Sequence, residues 1–174
     1  MTYSPAQLEE RIRDAARQIG FPEAIAVIQL RRESANYRSD VVYGNFVGGA
    51  GERGLAQFTP GTWARFGSGD HRNAYNPDTS LAAWQRYIQY LRGLFGEDYW
   101  KILAGYNGGE GHVQRGTVSA AARRYANEVL AQAGATAPAP TPQNPPDPTP
   151  TATGINWWLV GGVVVLTALV LLDD

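Results

Sequence analysis

The chain has 174 residues, a length that suggests one domain with additional segments. Its formal net charge is −1, but residues 1–134 carry about +2, because all the basic residues and only part of the acidic ones lie there. So weak a positive charge does not favour nucleic acid as a partner. The sequence has no cysteine, which excludes a disulfide framework and thiolate chemistry.

The amino-terminal part is predicted to form two helices. A capping box at residues 4–7, SPAQ, places proline at the first helical position, apolar residues then recur at helical spacing, and Gly20 ends the run. A second helix starts at Pro22 and is largely apolar up to Glu33. The amino terminus lacks the apolar stretch of a signal peptide, so no cleavable signal is expected.

The rest of the domain is predicted to be helical, apart from one hairpin. The stretch VVYGNFVGG, residues 41–49, has β-branched and aromatic residues on both sides of a Gly-Asn pair, which predicts a short β-hairpin with a two-residue turn. Start and stop signals predict four further helices, beginning at Thr59, running from Asn76 to Gly96 and from Asp98 to Gly109, and covering 117–133. Residues 1–134 are therefore predicted to form a mainly α domain.

Two segments of different composition follow this domain. Residues 135–154 are rich in proline and lack basic and aromatic residues, which is typical of an extended linker without packed structure. Residues 155–172 carry no charge, and as a helix they would span about 27 Å, close to the roughly 30 Å hydrocarbon core of a bilayer. Trp157 and Trp158 stand at the start of this segment, which is predicted to be a single transmembrane helix of unassigned orientation.

The side chains exclude several reaction classes. With two histidines, no HExxH motif and no Cys/His cluster, neither a metal site nor a cofactor is expected. The nucleophile motif GxSxG and the phosphate-binding motif GxxxxGK[ST] are both missing. Carboxylate chemistry beside aromatic residues and glycines remains, a profile common among proteins that act on sugars.

Glu33 is the leading candidate for a catalytic acid. It follows a largely apolar helix, so we expect its carboxyl group to be partly desolvated. Desolvation raises the pKa of a carboxyl group, as a general acid that works near neutral pH requires. The alternative is a solvated surface acid paired with Arg31 or Arg32.

Four short motifs occur in a set order along the chain: Glu33-Ser34, GLAQ at 54–57, Asn76-Pro77 and GYNGG at 105–109. Over about residues 20–128 this set resembles the soluble lytic transglycosylase family, which has a lysozyme-like fold. Each motif alone is weak, whereas their order and spacing together are specific. Ala56 and Gly105 depart from the methionine and alanine usual in the family, which loosens packing without removing a reacting group.

The resemblance implies a role for each matched position. Glu33 would be the single catalytic acid and base, and Ser34 would polarise it or hydrogen-bond near it. Gln57 would hold a sugar acetamido or hydroxyl group, Tyr106 would direct its hydroxyl toward the Glu33 carboxyl, and Asn107 would shape the turn. Simpler roles stay open: Gln57 as a turn residue, Tyr106 as a core residue bonded to backbone, and Asn107 as a helix cap.

The resemblance also implies a reaction, the cleavage of the β-1,4 bond between N-acetylmuramic acid and N-acetylglucosamine in peptidoglycan. The family closes a 1,6-anhydro ring without water, so one carboxyl group suffices. The length of the segment between Ser34 and Gly54 is nearer to that of goose-type lysozymes, which keeps a hydrolytic lysozyme as an alternative. Glycosidases generally use two carboxylates, and Asp40 or Glu52 would be the second one. A non-catalytic wall-binding anchor is the third hypothesis.

The biological setting is inferred from the combination of these parts. Peptidoglycan glycan strands and a lipid bilayer are the expected partners, and virion or envelope proteins are further candidates. A carboxyl-terminal anchor without an amino-terminal signal suits the virion membrane of a bacteriophage, where the enzyme would open the wall locally for genome entry. A component of the bacterial envelope is the alternative.

Overall fold

A computed structural model describes residues 2–135, which form eight α-helices and one 3-10 helix. The α-helices are α1 (Pro5–Gln18), α2 (Glu23–Glu33), α3 (Ser39–Tyr43), α4 (Pro60–Phe66), α5 (Pro77–Phe95), α6 (Tyr99–Gly108), α7 (Glu110–Gln114) and α8 (Ala120–Gln132), and the 3-10 helix is His71–Tyr75. The mainly α character expected from the sequence is confirmed.

Most of the predicted helix starts are confirmed because they rest on local hydrogen bonds, whereas the last helix, predicted from 117, begins at Ala120. At α1, the Ser4 hydroxyl accepts from the Gln7 backbone N–H while the Gln7 side chain accepts from the Ser4 N–H, which completes the capping box. Four other α-helices begin with a side chain that accepts a hydrogen bond from the first turn, those of Thr59, Asn76, Asp98 and Ser119.

The core forms around the longest helix, α5, whose Trp84, Ile88 and Leu91 are fully buried. Helices α1, α4 and α6 pack against α5, and Phe21 contacts the Trp84 ring edge-on at 5.7 Å between centroids. Helix α6 also packs against α8, and α8 contacts α2. This arrangement brings the end of α2 and the face of α8 together, although they are far apart in sequence.

The predicted hairpin at residues 41–49 is wrong, because residues 39–43 form the short helix α3. Val41 and Val42 are adjacent and both buried, whereas successive residues of a strand would face opposite sides of the sheet. Burial of both valines therefore overrides the β propensity of the segment. The β pairing within residues 2–135 is a single antiparallel bridge between Arg53 and Phe58.

The predicted linker from residue 136 onward and the predicted transmembrane helix at 155–172 lie outside the described residues. Between residues 2 and 135, none of the helices combines the length and the apolar character needed to cross a bilayer.

Candidate active site

Glu33 is the last residue of α2, and its side chain is half-buried. The helix that carries it is anchored in the core by Ile25, Ala26, Val27 and Leu30. At the carboxyl end of a helix the unpaired carbonyl groups present partial negative charge, which disfavours an ionised carboxylate at this position. The local structure thus favours the protonated form of Glu33.

Burial raises the pKa of the Glu33 carboxyl from 4.5 to about 7. A hydrogen bond from Tyr125 and the positive charge of Arg32 lower this pKa, whereas the negative charge of Glu52 raises it. Removal from water is the largest of these effects. Glu33 can therefore hold a proton at neutral pH and can also exist as the base, which is the combination that a single acid–base residue needs.

Neither neighbouring arginine forms an ion pair with Glu33. Arg31 pairs with Glu9 at 2.6 Å, and Arg32 pairs with Glu128 and lies over the Tyr125 ring, 5.1 Å from its centroid. The reading of Glu33 as a surface acid paired with Arg31 or Arg32 therefore does not describe this structure.

Tyr125 is the polar partner of Glu33, and the sequence analysis missed it. Its hydroxyl donates a hydrogen bond to Glu33 Oε1 from α8. Burial, followed by the nearby negative charge of Glu33, raises the pKa of Tyr125 well above its usual value, so the hydroxyl stays a donor at physiological pH. In the sequence, Tyr125 stands at a core position of an amphipathic helix, and no local signal distinguishes it from a packing residue.

Ser34 is completely buried and bonded to backbone. Its hydroxyl donates to the Leu30 carbonyl at 2.7 Å and accepts from the Tyr37 N–H at 3.1 Å. The three residues that follow, 35–37, all have positive φ, a strained run for residues other than glycine. Ser34 thus stabilises the turn that ends α2, and a buried hydroxyl with these bonds does not reach a glycan.

The GLAQ motif forms a tight loop closed by the Arg53–Phe58 bridge, with two backbone hydrogen bonds of 3.1 Å. Gln57 adopts φ +48°, and its Nε2 donates to the Gly54 carbonyl at 2.8 Å. In this structure, Gln57 therefore stabilises its own loop. Its side chain remains half-buried rather than fully enclosed.

Tyr106 lies near Glu33 but does not bond to it. Its hydroxyl donates to the Ala56 carbonyl at 2.7 Å, which ties α6 to the GLAQ loop. Burial and then the charge of Glu33 raise the pKa of Tyr106 well above its usual value. The hydroxyl was expected to point at the Glu33 carboxyl; in the structure Tyr125 occupies that place.

Asn107 is exposed in the last turn of α6, directly before Gly108 and Gly109. Gly109 has φ +89°, so the helix ends in a backbone conformation that favours glycine. Asn107 is thus beside the turn, as expected, with its side chain accessible to solvent.

The two candidates for a second carboxylate, Asp40 and Glu52, differ in their exposure and in their effect on Glu33. Asp40 is exposed and forms two hydrogen bonds with Arg38, 2.6 and 3.0 Å long, and that bonding lowers its pKa. Glu52 is half-buried, accepts from the Ala50 N–H at 2.8 Å, and is near enough for its charge to raise the pKa of Glu33. Glu52 is therefore the better placed of the two.

These features fit the family that the sequence motifs resemble. The chain belongs to the transglycosylase SLT domain family, whose model matches residues 11–129. The described part of the chain accordingly has the mainly helical, lysozyme-like fold of that family.

Three solved structures of lytic transglycosylases are similar to this chain. The first is an inactive mutant of the lytic transglycosylase Slt from Pseudomonas aeruginosa, with 21% identity and a TM-score of 0.58 over 69% of this chain and 22% of that one. The second is the 70-kDa soluble lytic transglycosylase in complex with bulgecin A, with 23% identity and a TM-score of 0.61 over 74% of this chain and 23% of that one. The third is the 70-kDa enzyme from Escherichia coli, with 26% identity and a TM-score of 0.53 over 73% of this chain and 25% of that one. The chain thus matches about a quarter of the length of each. No curated protein matches it.

Proposed function

We propose that this domain is a peptidoglycan lytic transglycosylase with Glu33 as its single acid and base. The observation that carries the proposal is the half-buried carboxyl at the end of α2, with a pKa of about 7 and a tyrosine hydroxyl as its partner. Membership of the transglycosylase family supports the same activity. A carboxyl group whose pKa is raised by burial is more typical of a catalytic site than of a wall-binding surface.

In the proposed reaction, protonated Glu33 gives its proton to the oxygen that bridges N-acetylmuramic acid and N-acetylglucosamine. The bond from that oxygen to muramoyl C1 breaks, and its electron pair stays with the oxygen of the departing N-acetylglucosamine. The Glu33 carboxylate then takes the proton of the muramoyl 6-hydroxyl, whose oxygen bonds to C1. No water is consumed, Glu33 is protonated again, and the nucleophile is already held in the same sugar.

Four further residues have supporting roles in the proposed reaction, namely Gln57, Tyr106, Asn107 and Ser34. Gln57 and Asn107 contact the glycan, because both side chains retain exposed surface beside the loop and the helix end. Tyr106 positions the GLAQ loop through the Ala56 carbonyl, and Ser34 positions Glu33 through the turn after α2.

The products of digestion test the reaction. Purified protein incubated with peptidoglycan should release fragments that end in 1,6-anhydro-N-acetylmuramic acid, lighter by one water than the hydrolysis products, as measured by mass spectrometry. A Glu52→Gln variant should remain active and give the same products, because Glu52 has no part in the proposed steps and acts on Glu33 only by raising its pKa.

Hydrolysis is the second candidate function, favoured by the position of Glu52 near Glu33. It predicts reducing ends in the digest and loss of activity in Glu52→Gln. Either result would replace the transglycosylase proposal with a lysozyme.

We also propose that residues 155–172 anchor the enzyme in a membrane, with 135–154 as the linker. A phage virion membrane is the favoured location, where wall cleavage would open a path for the genome, and the bacterial envelope is the alternative. The proposal is supported by the uncharged segment and the pair of tryptophans at its start.

Vesicle flotation tests the anchor. The full chain should float with phospholipid vesicles, and the double variant Val163→Arg/Leu166→Arg should remain at the bottom, because each arginine at the centre of a span costs roughly 2.5–3.5 kcal/mol. Ala152→Arg, in the linker, is the matched control and should float. Flotation of the double variant would contradict membrane insertion.

A further inference from the structure

Gln29 is a polar side chain among the buried, otherwise apolar residues of α2. It is completely buried and lies one helical turn before Glu33, on the same face of the helix. Burying a primary amide without hydrogen bonds costs about 1–3 kcal/mol, so packing alone would favour an apolar residue here. Its neighbours indicate what the amide group does.

Trp84 fixes the orientation of the Gln29 amide. The Trp84 indole N–H donates to Gln29 Oε1 at 3.2 Å. An indole nitrogen can only donate, so the oxygen of the amide must face Trp84, and the NH₂ group must face the other way. Within residues 2–135, Gln29 Nε2 is buried and makes no hydrogen bond of standard geometry.

Gln29 lies on α2, which packs against α8, the helix that carries Tyr125. Burial raises the pKa of Tyr125, and Gln29 is close enough to lower it by donating toward the phenol oxygen. Tyr125 in turn donates its one proton to Glu33 Oε1. Two hydrogen bonds, from Trp84 to Gln29 and from Tyr125 to Glu33, are thus observed, and a bond from the Gln29 NH₂ group to the Tyr125 oxygen would join them into one series that ends at Glu33.

We propose that Gln29 is a positioning residue, whose NH₂ group holds the Tyr125 hydroxyl proton toward Glu33 and thereby tunes how readily Glu33 releases its proton. The consequence for catalysis rests on the function proposed above. The effect of Gln29 on the ionisation of Glu33 does not rest on that function, so an experiment can disprove either proposal while the other stands.

The direction of the effect follows from the polarity of the series. A donor to the Tyr125 oxygen polarises the O–H group and strengthens its hydrogen bond to the ionised Glu33 carboxylate. Gln29 therefore stabilises the charged form and opposes the effect of burial on the pKa of Glu33. Loss of the Gln29 donor should raise that pKa.

A Gln29→Met variant tests the proposal, because methionine is similar in length and cannot donate. The measurement is a carbon-13 NMR titration of the Glu33 carboxyl, assigned by its disappearance in Glu33→Gln. We expect the Glu33 pKa to rise by about half a unit, and the alkaline limb of the activity profile to move upward with it. Ile25→Val, on the same helix and without a polar contact, is the matched control and should leave the Glu33 pKa unchanged.

A double-mutant cycle tests the route through Tyr125. In a Tyr125→Phe background, Gln29→Met should cause no further change in the pKa of Glu33. An unchanged pKa in Gln29→Met, or an equal shift with and without Tyr125, would overturn the proposal and leave Gln29 as a packing partner of Trp84.

A measurement on the unaltered chain covers the case in which Gln29→Met does not fold. The side-chain amide nitrogen-15 resonance of Gln29 should titrate with the same midpoint as Glu33, because Tyr125 connects the two groups. A Gln29 resonance that does not change across that pH range would also overturn the proposal.

Discussion

Replacement of Glu33 by glutamine should reduce peptidoglycan cleavage by at least about 10³-fold, because one side chain supplies both proton transfers of the proposed reaction. Glutamine keeps the size and an oxygen acceptor for Tyr125, so the fold should be retained. The measurement is release of soluble fragments from purified sacculi, with circular dichroism to verify folding. Glu10→Gln, an exposed glutamate of α1, is the matched control and should keep full activity.

The same substitution should stabilise the protein above neutral pH. An unfolded chain binds the Glu33 proton with a pKa near 4.5 and the folded chain with a pKa of about 7, so between these values the folded state binds more protons. The stability of the original protein therefore falls as pH rises through this window, and Glu33→Gln removes that loss. The gain at pH 8 is at most about 3 kcal/mol, reduced by the partial exposure of the side chain.

Urea denaturation at pH 4 and pH 8 measures this gain. Glu33→Gln and the original chain should differ little at pH 4 and clearly at pH 8. If Glu33→Gln and the original chain were equally stable at both pH values, ionisation of Glu33 would carry no desolvation cost. The proposed role of Glu33 as an acid would then lose its physical basis. The proposed catalytic role of Glu33 would explain why the fold retains a residue whose charged form is destabilising.

Gly54→Ala should destabilise the domain by roughly 3 kcal/mol or more and abolish activity. A Cβ atom on Gly54 would lie 1.8 Å from the backbone carbonyl oxygen of Ala74, and its φ of +75° is itself unfavourable for alanine. The backbone cannot move aside without opening the loop that holds Ala56 and Gln57. Thermal unfolding and the sacculus assay measure the two effects.

Gly93→Ala is the matched control for this prediction. Gly93 is exposed in α5, and a Cβ atom there has no neighbour within 4 Å. Alanine is the better helix former by about 1 kcal/mol, so this variant should be as stable as the original chain or more so. If Gly54→Ala unfolded at the same temperature as Gly93→Ala, the close approach of the loop to Ala74 would be contradicted.

Most helix boundaries and the candidate acid Glu33 were predictable because their signals are short in range. The capping box at residues 4–7 and the caps at Thr59 and Asn76 involve residues two or three apart, so the sequence alone determines them. Glu33 was recognisable because an apolar helix leads directly to it. The motif order then identified the family to which the chain belongs.

The errors at the predicted hairpin and at Tyr106 depend on contacts that are distant in sequence. Residues 41–49 have strand propensity, but the buried faces of Val41 and Val42 select a helix. Likewise, Tyr106 bonds to the Ala56 carbonyl, 50 residues away, instead of to Glu33. Which tyrosine meets the carboxyl depends on how the helices pack, and no local pattern encodes that choice.

The sequence by itself determined where the capped helices α1, α4, α5 and α6 begin, that Glu33 ends an apolar helix, and which family the motifs indicate, since each of these depends on neighbouring residues. Only the tertiary structure decided that Tyr125, 92 residues after Glu33, donates to its carboxyl, and that Trp84 donates to the buried Gln29 amide oxygen. Burial in this packing and the Tyr125 hydrogen bond both act on the pKa of Glu33, because a pKa depends on the charges, donors and water around a group in space.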